Sequence, residues 1–498
     1  MGKPRPASSW RDRVGPWGPV LLQTYVLYMA GYLARKPLSL TKTLLSEPAP
    51  VGVSLHVNRA GTLDSLYMLA HAVGKFYAGR AIVRFGSLAV LWASCLSTAA
   101  TVAAFASLSS YGAMKVVWTL SGLSTGFTFL AALSVLDGIL SDPAVGHTIL
   151  GFWCTSINVG GIAGNLASAH ILAHGWRAVF RWAAALLVPL SALAACIHVP
   201  KPDPGHSPSP GTNHLDVDIP EANRHTAGKS AKDAPGTLEL LSDASVACCA
   251  GANLCVKLSK YSFVLWLPAF YVHRLGASAA AASIASTTDD LGGLTGLCFL
   301  GVLLARQRYA SSPLALARDS LCIALASLLG LAAALRLLGD DNLHTTAGLA
   351  SAVMLAVGAT GGEIPETLCT VVAIPAVARN LALSRLRRRA ARDGAGAEDE
   401  ELALGRTGGA DDEEADAARA AKELEPHILS VISSIGSLGP LLCGPIMAAC
   451  VNLLGWDALV YGNVAFVALG GGLSALGATL IERRARGHKA GRRDLHST

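Results

Sequence analysis

Apolar stretches of membrane-crossing length recur twelve times along this chain, at roughly 17–36, 60–80, 86–107, 111–136, 147–172, 178–199, 243–272, 281–305, 314–338, 345–378, 427–453 and 458–482. About 20 residues at roughly 1.5 Å rise each cross the ~30 Å hydrocarbon core of a bilayer. Lipid offers no hydrogen bonds to the backbone, so each stretch has to satisfy its own N–H and C=O groups as a helix. Composition agrees: 15% of the 498 residues are charged, against about 25% in a soluble protein. The expected class is therefore an all-α membrane protein with twelve transmembrane helices. A net charge of +6, dispersed along the chain, gives no footprint for nucleic acid. The eleven cysteines fall in apolar stretches without a CxxC or metal-ligand spacing, and read as small buried hydrophobes. The polar, basic stretch before the first segment is too long for an ordinary cleavable signal, so that segment is expected to be retained.

Two polar breaks divide the series. Residues 200–240 are rich in Pro, Ser, His and Asp, and residues 379–426 carry the basic run Arg385-Leu386-Arg387-Arg388-Arg389 followed by acidic clusters. Neither composition can bury a core, and both read as disordered or partly helical cytoplasmic loops. The expected organisation is an N-terminal six-helix bundle (1–199), a linker (200–240), a C-terminal six-helix bundle (241–482) interrupted by the loop at 379–426, and a basic tail (483–498). Arginines follow the second, eighth and twelfth segments, which by the positive-inside rule puts both termini in the cytosol. The halves also resemble each other. At an offset of 280, His147 matches His427, Gly164 matches Gly444 and Gly175-Trp176 matches Gly455-Trp456; at an offset of 222, Gly79 matches Gly301 and Arg84 matches Arg306. Two pseudo-symmetric six-helix bundles with a site at mid-membrane between them form the major facilitator arrangement. Pro365 and Pro375 in the tenth segment predict an end, a kink or a re-entry there.

Charges inside apolar segments are the candidate functional groups. Tyr28, Tyr32 and Arg35 lie four and three residues apart, on one helix face. Two phenols and a guanidinium so placed can grip an oxyanion bidentately, whereas an interface anchor with aromatic-belt tyrosines would need no ligand. His71 and Lys75 share a face of the second segment, where Lys75 either snorkels or joins Arg35 in a two-cation pocket. Lys257 and Lys260 hold in the seventh segment the position that Arg35 holds in the first, with Tyr261 beside them. Asp290, next to Asp289, opens the apolar part of the eighth segment, either capping a helix or pairing with a lysine while the site is empty. Glu363 and Glu366 either line a cavity or face the cytosol.

These residues resemble the organophosphate:phosphate antiporters of the major facilitator superfamily, particularly the eukaryotic sugar-phosphate exchangers. The likeness is carried by Arg35-Lys36-Pro37-Leu38-Ser39, the stretch from Val256-Lys257-Leu258 to Leu267-Pro268, Asp290-Leu291-Gly292-Gly293 and Asn158-Val159-Gly160-Gly161. It implies that Arg35 is the phosphate-gripping arginine, that Tyr28 and Tyr32 stand where the family has phenols, and that Lys75, Lys257, Lys260 and Asp290 stand at family charges. The chain departs from the family at Ile157, in place of a bacterial histidine, at His71, in place of a tyrosine, and at Val83, where a gating acid is expected. The resemblance implies a monomeric antiporter that exchanges a phosphorylated sugar or glycerol-3-phosphate-like ester for inorganic phosphate, with no cofactor, in the endoplasmic reticulum or another internal membrane. A non-transporting sensor of sugar phosphates and a proton-coupled organic-anion permease are the rival expectations. An enzyme is not expected, because no nucleophile or acid/base constellation is present.

Overall fold

A computed structural model describes residues 14–49, 51–140, 146–195, 197, 237–304, 312–338, 343–394 and 410–495. The linker 200–236, the loop arginine Arg306 and residues 395–409 lie outside the described residues. Twelve long helices follow one another: α1 (Gly18–Ser46), α2 (Val57–Phe85), α3 (Ser87–Phe105), α4 (Tyr111–Val135), α5 (Gly146–Cys154, resuming as Ser156–Ile171) and α6 (Trp176–Ala195). After a short helix at Thr237–Leu241 come α7 (Ala244–Leu275), α8 (Ala279–Ala285, resuming as Thr287–Leu304), α9 (Pro313–Leu337), α10 (Leu343–Val357, continued to Gly394), α11 (Ala410–Leu454) and α12 (Ala458–Leu495). The helices alternate in direction, so α1 starts and α12 ends on the same face of the bundle, the terminal side. Among the described residues, seven helical stretches are long and apolar enough to cross a membrane on length and composition, and α1, α2 and α7 are not among them. Those three carry Arg35, Lys75, Lys257 and Lys260. Polar groups turned to a protein interior lower a helix's apolarity without presenting charge to lipid.

The chain's internal likeness appears in the backbone. Gly175 and Gly455, which align at the offset of 280, both adopt positive φ, +86° and +75°. Each carbonyl then accepts from the amide three residues on, Ala178 at 3.2 Å and Ala458 at 3.1 Å. Glycine is the residue that takes this conformation without a Cβ clash.

Three expectations change in the structure. First, α1 runs ten residues past 36, so Arg35 stands well inside the helix rather than at its closing end, because the cations beyond it are paired: Lys36 and Lys42 both meet buried carboxylates. Second, α10 neither ends nor re-enters. It absorbs Pro365 through two π-helical turns, Gly358–Gly362 and Leu368–Val372, on either side of Glu363–Thr367. A π turn accommodates the hydrogen bond that proline cannot make. Third, of the interval 379–426, expected to be disordered or partly helical, the described residues 379–394 and 410–426 are helical. Val377, Ala378, Leu381 and Ala382 of α10 share a buried cluster with Ala421, Leu424 and Ile428 of α11, and Arg385 meets Glu239 at 2.8 Å. An apolar stripe at helical spacing lies inside what composition marks as a polar loop. The described part of the basic tail, to Leu495, continues α12 as helix. Two cysteines, Cys298 and Cys322, are exposed on the outer surface.

Helices α1–α6 pack mainly among themselves, as do α7–α12, and the two sets meet where α1 touches α7, α2 touches α11 and α5 touches α8. Away from the terminal side these contacts are tight. Ser65 Oγ donates to the Leu441 carbonyl (2.8 Å), Asn452 Nδ2 to Asn58 Oδ1 (2.6 Å) and Ser283 Oγ to the Asn165 carbonyl (2.7 Å). Gly61 faces Gly444 so closely that a Cβ on Gly61 would lie 2.6 Å from the Gly444 carbonyl oxygen. Among the described residues, the cross-half hydrogen bonds and ion pairs run from the middle of the bundle to this far side. Lys75, nearer the terminal side of α2, is exposed. The halves are thus closed together on the far side and parted toward the termini.

Candidate functional site

A cavity lies where the halves meet, with α1, α2, α5, α7, α8 and α10 in its wall. Of the residues expected to bind substrate, Arg35, Tyr32, Lys260, Tyr261 and Asp290 line it. The Arg35 guanidinium carbon sits 5.0 Å from the Tyr32 ring centre, 5.3 Å from that of Tyr67 and 5.9 Å from that of Tyr261, within the range of cation–π attraction. Its Nη2 reaches Met68 Sδ at 3.7 Å. Among the described residues Arg35 has no carboxylate partner, so its charge is offset by ring faces alone.

The lysines Lys36, Lys42, Lys257 and Lys260 are paired. Lys36 Nζ meets Asp290 Oδ2 at 2.7 Å, and Asn165 Nδ2 donates to the same oxygen at 3.0 Å. Asp290 therefore holds a lysine, and that lysine is Lys36, not one from α2 or α7. Lys260 Nζ sits between Glu363 Oε1 (2.7 Å) and Glu366 Oε2 (2.9 Å), while Lys257 reaches the other oxygen of Glu366 at 3.4 Å. The two glutamates face the α7 lysines because the π turns rotate that stretch of α10 inward. Toward the far side, Lys42 Nζ lies 2.6 Å from Asp64 Oδ2, 2.8 Å from the Leu265 carbonyl and 3.9 Å from the Trp266 ring centre. One side chain thereby ties α1 to both α2 and α7.

Four expected binding residues lie outside the cavity wall. Tyr28 is buried and stacked on Trp153 with ring centres 4.6 Å apart, because its turn of α1 faces α5 within one half. His71 stands behind the wall. Its Nδ1 is 3.2 Å from Thr125 Oγ1 and its ring stacks behind Tyr67, so it supports a lining residue without being one. Lys257 stands one turn from the cavity, on Glu366. Lys75 lies 5.5 Å from the Phe129 ring centre and interacts electrostatically with Arg35, Lys257 and Glu366, which sets it at the parted mouth. The sequence reading leaves Lys36, Tyr67, Asn158 and Asp289 out of the binding set. For Tyr67 a signal exists: it precedes His71 by four residues, on the face already singled out. For Lys36 the signal is adjacency to Arg35, which says nothing about a partner 254 positions away.

Residues 24–384 match the family model of the Major Facilitator Superfamily. The chain belongs to the major facilitator superfamily. It is accordingly a multi-pass integral membrane protein of a superfamily of transporters. Among similar superfamily members, "Putative glycerol-3-phosphate transporter 2" of Arabidopsis thaliana is 26% identical over 311 residues, 57% of this chain and 60% of its own length. "Sugar phosphate exchanger 3" of Gallus gallus is 25% identical over 294 residues, 54% of this chain and 58% of its own. The chain thus spans about 60% of the length of these relatives. Among solved structures, a D-xylose-proton symporter aligns with a TM-score of 0.57 at 13% identity, covering 94% of this chain and 97% of the other. A bacterial homologue of the human lysosomal transporter Spinster, inward-facing and occupied, aligns with a TM-score of 0.57 at 12% identity, covering 96% and 99%. At those identities the likeness is one of fold.

Proposed function

We propose that this transporter exchanges a phosphate ester, of the phosphorylated-sugar or glycerol-3-phosphate kind, for inorganic phosphate. The carrying observation is the state of Arg35: a guanidinium in the cavity wall, ringed by Tyr32, Tyr67 and Tyr261 and without a carboxylate, while Lys36 and Lys260 are paired. A phosphoryl group entering the cavity supplies the missing anion and two parallel acceptor oxygens, and the phenols can donate to the remaining oxygens. Lys75 at the mouth adds positive charge along the entry path. A dianion near α7 also competes with Glu363 and Glu366 for Lys260, so binding loosens an ion-pair network that joins α7 to α10 in the empty protein. A ligand shifts a conformational equilibrium only through its differential affinity for the two states, and this exchange of partners supplies one. Reorientation then closes the parted side and opens the side held by Lys42, Asn58 and Ser65. The names of these relatives support the same substrate class. The basic residues on the terminal side, Arg80, Arg84, Arg385, Arg483 and Arg484, support a cytosolic terminal side, in an internal membrane such as the endoplasmic reticulum.

The test is counterflow of labelled phosphate into proteoliposomes loaded with phosphate or with phosphate esters. Arg35→Lys keeps the charge and removes the planar fork, so exchange is expected to fall at least tenfold. Full activity in that variant rules out Arg35 as the phosphate ligand. Binding without movement of label indicates a sensor, and uptake that follows a pH gradient and ignores internal phosphate indicates a proton-coupled permease.

A further inference from the structure

The cavity wall holds two polar groups that the phosphate grip does not use. Asp289 lines it in the first turn of Thr287–Leu304 and has no hydrogen bond or ion pair among the described residues, although its neighbour Asp290 has both. The charges around Asp289 are Asp290 on its own helix, Lys36 on α1, Lys260 on α7 and Glu363 on α10. Around Arg35, by contrast, stand the uncharged rings of Tyr32, Tyr67 and Tyr261. The two thus occupy different neighbourhoods of one cavity. The second group is Asn158 of α5. It is 3% exposed and lines the same cavity, and its Nδ2 is buried without a hydrogen-bond partner. A buried amide donor left unpaired is destabilising, and a bound acceptor would relieve that cost. Gly293 stands one turn beyond Asp289 on the same face of α8, and a Cβ there would lie 2.8 Å from Asn158 Oδ1. The absence of that side chain lets the α5 amide pack against α8 one turn from Asp289.

A free carboxylate acceptor and a free amide donor on facing helices suit hydroxyl groups, each of which can donate to the first and accept from the second. They do not suit a second phosphoryl group, which an unpaired carboxylate repels. We propose that Asp289 and Asn158 form a subsite for the hydroxylated carbon skeleton of the ester, so that the cavity selects polyol phosphates over phosphate esters of the same size that lack hydroxyls. This rests on the phosphate-ester reading and adds the element that distinguishes one ester from another.

The experiment measures competition by glycerol-3-phosphate and by n-propyl phosphate against labelled phosphate exchange in proteoliposomes. The full chain is compared with Asp289→Asn and Asn158→Ala. In the parent, glycerol-3-phosphate is expected to compete at least tenfold better than propyl phosphate, and each variant is expected to bring that ratio below about threefold. A structural role alone would weaken both competitors together and leave the ratio unchanged; that result, or a parent ratio near one, overturns the subsite. Failure of both esters to compete in the parent overturns the phosphate-ester reading, and the subsite with it.

Discussion

The Lys36–Asp290 pair gives the sharpest test of how the two halves are joined. Both side chains are 9% exposed and 2.7 Å apart, and the bridge runs from α1 to α8 across the central cavity. Lys36→Met leaves a buried carboxylate whose remaining hydrogen bond is the 3.0 Å contact from Asn165. Asp290→Asn leaves a buried ammonium facing an amide. Breaking a buried pair from one side costs roughly 3–5 kcal/mol, whereas removing both charges together is often near neutral. Each single variant is therefore expected to lose about 3 kcal/mol. The double variant should lose less than either single, giving a coupling of about 3 kcal/mol or more. At about 2 °C per kcal/mol, the lower end of the range for domains of moderate size, each single should melt about 6 °C below the parent. Asn is the right replacement at 290 because the carboxylate already packs against Gly161, which leaves no room for a larger group. Thermal melting of the detergent-solubilised full chain, followed by loss of monomer on size-exclusion chromatography, reads the four corners of the cycle. Additive losses in the double variant would show that the two charges are not partners in the folded protein, and would refute the pairing of Asp290 with Lys36.

Three further outcomes follow. Gly61→Leu drives a side chain into the Gly444 carbonyl, about 0.9 Å inside ordinary contact distance at the first atom alone; exchange should fall at least tenfold. Alkylation of Cys443, now 1% exposed, should rise when followed by peptide mass spectrometry, and unchanged labelling with normal exchange would refute the far-side closure. Glu363→Gln with Glu366→Gln releases Lys260 and Lys257 from their carboxylates, so half-saturation for phosphate should improve by roughly tenfold, about 1.4 kcal/mol, while turnover slows; unaltered affinity would show that these pairs do not compete with the substrate. Asp243 caps α7 and accepts from the Ser245 amide at 2.9 Å and from Arg484 at 2.8 Å. Burial works against its charge, but the hydrogen bonds from Ser245 and Arg484 outweigh it and hold the carboxyl below the usual range. A carboxyl depressed in this way stabilises the fold fully above its unfolded value, about 3.9, and loses that contribution as pH falls through its lower folded value. Asp243→Asn should thus lower the melting temperature at pH 7 and narrow the gap from the parent below about pH 3.9; a gap independent of pH would refute the capping role.

The class of this protein was legible in the chain because a bilayer imposes a local rule. Each crossing segment must be apolar for about 20 residues, and that length and spacing can be read one segment at a time. The internal repeat was legible for a similar reason: Gly175 and Gly455 mark turns that need positive φ, a demand made by the backbone at a single position. The candidate status of Arg35, Lys260 and Asp290 came from the cost of a charge in lipid, which is also local. Their partners could not be read. Whether Asp290 takes Lys36, Lys75 or Lys260 depends on how α1 and α8 rotate against each other across 254 residues of sequence, and every lysine in the running has the same chemistry. Tyr28 and Tyr32 share a face by spacing, yet a modest rotation around α1 separates a residue stacked on Trp153 from one that lines the cavity. The apolar stripe of α10 was hidden among arginines because burial needs a partner, and the partner is the acidic start of α11. Spacing and composition settle which residues can be buried or charged within a segment. Pairing, rotation and the side on which the halves part are properties of contacts between segments, and only the packed tertiary structure decides them.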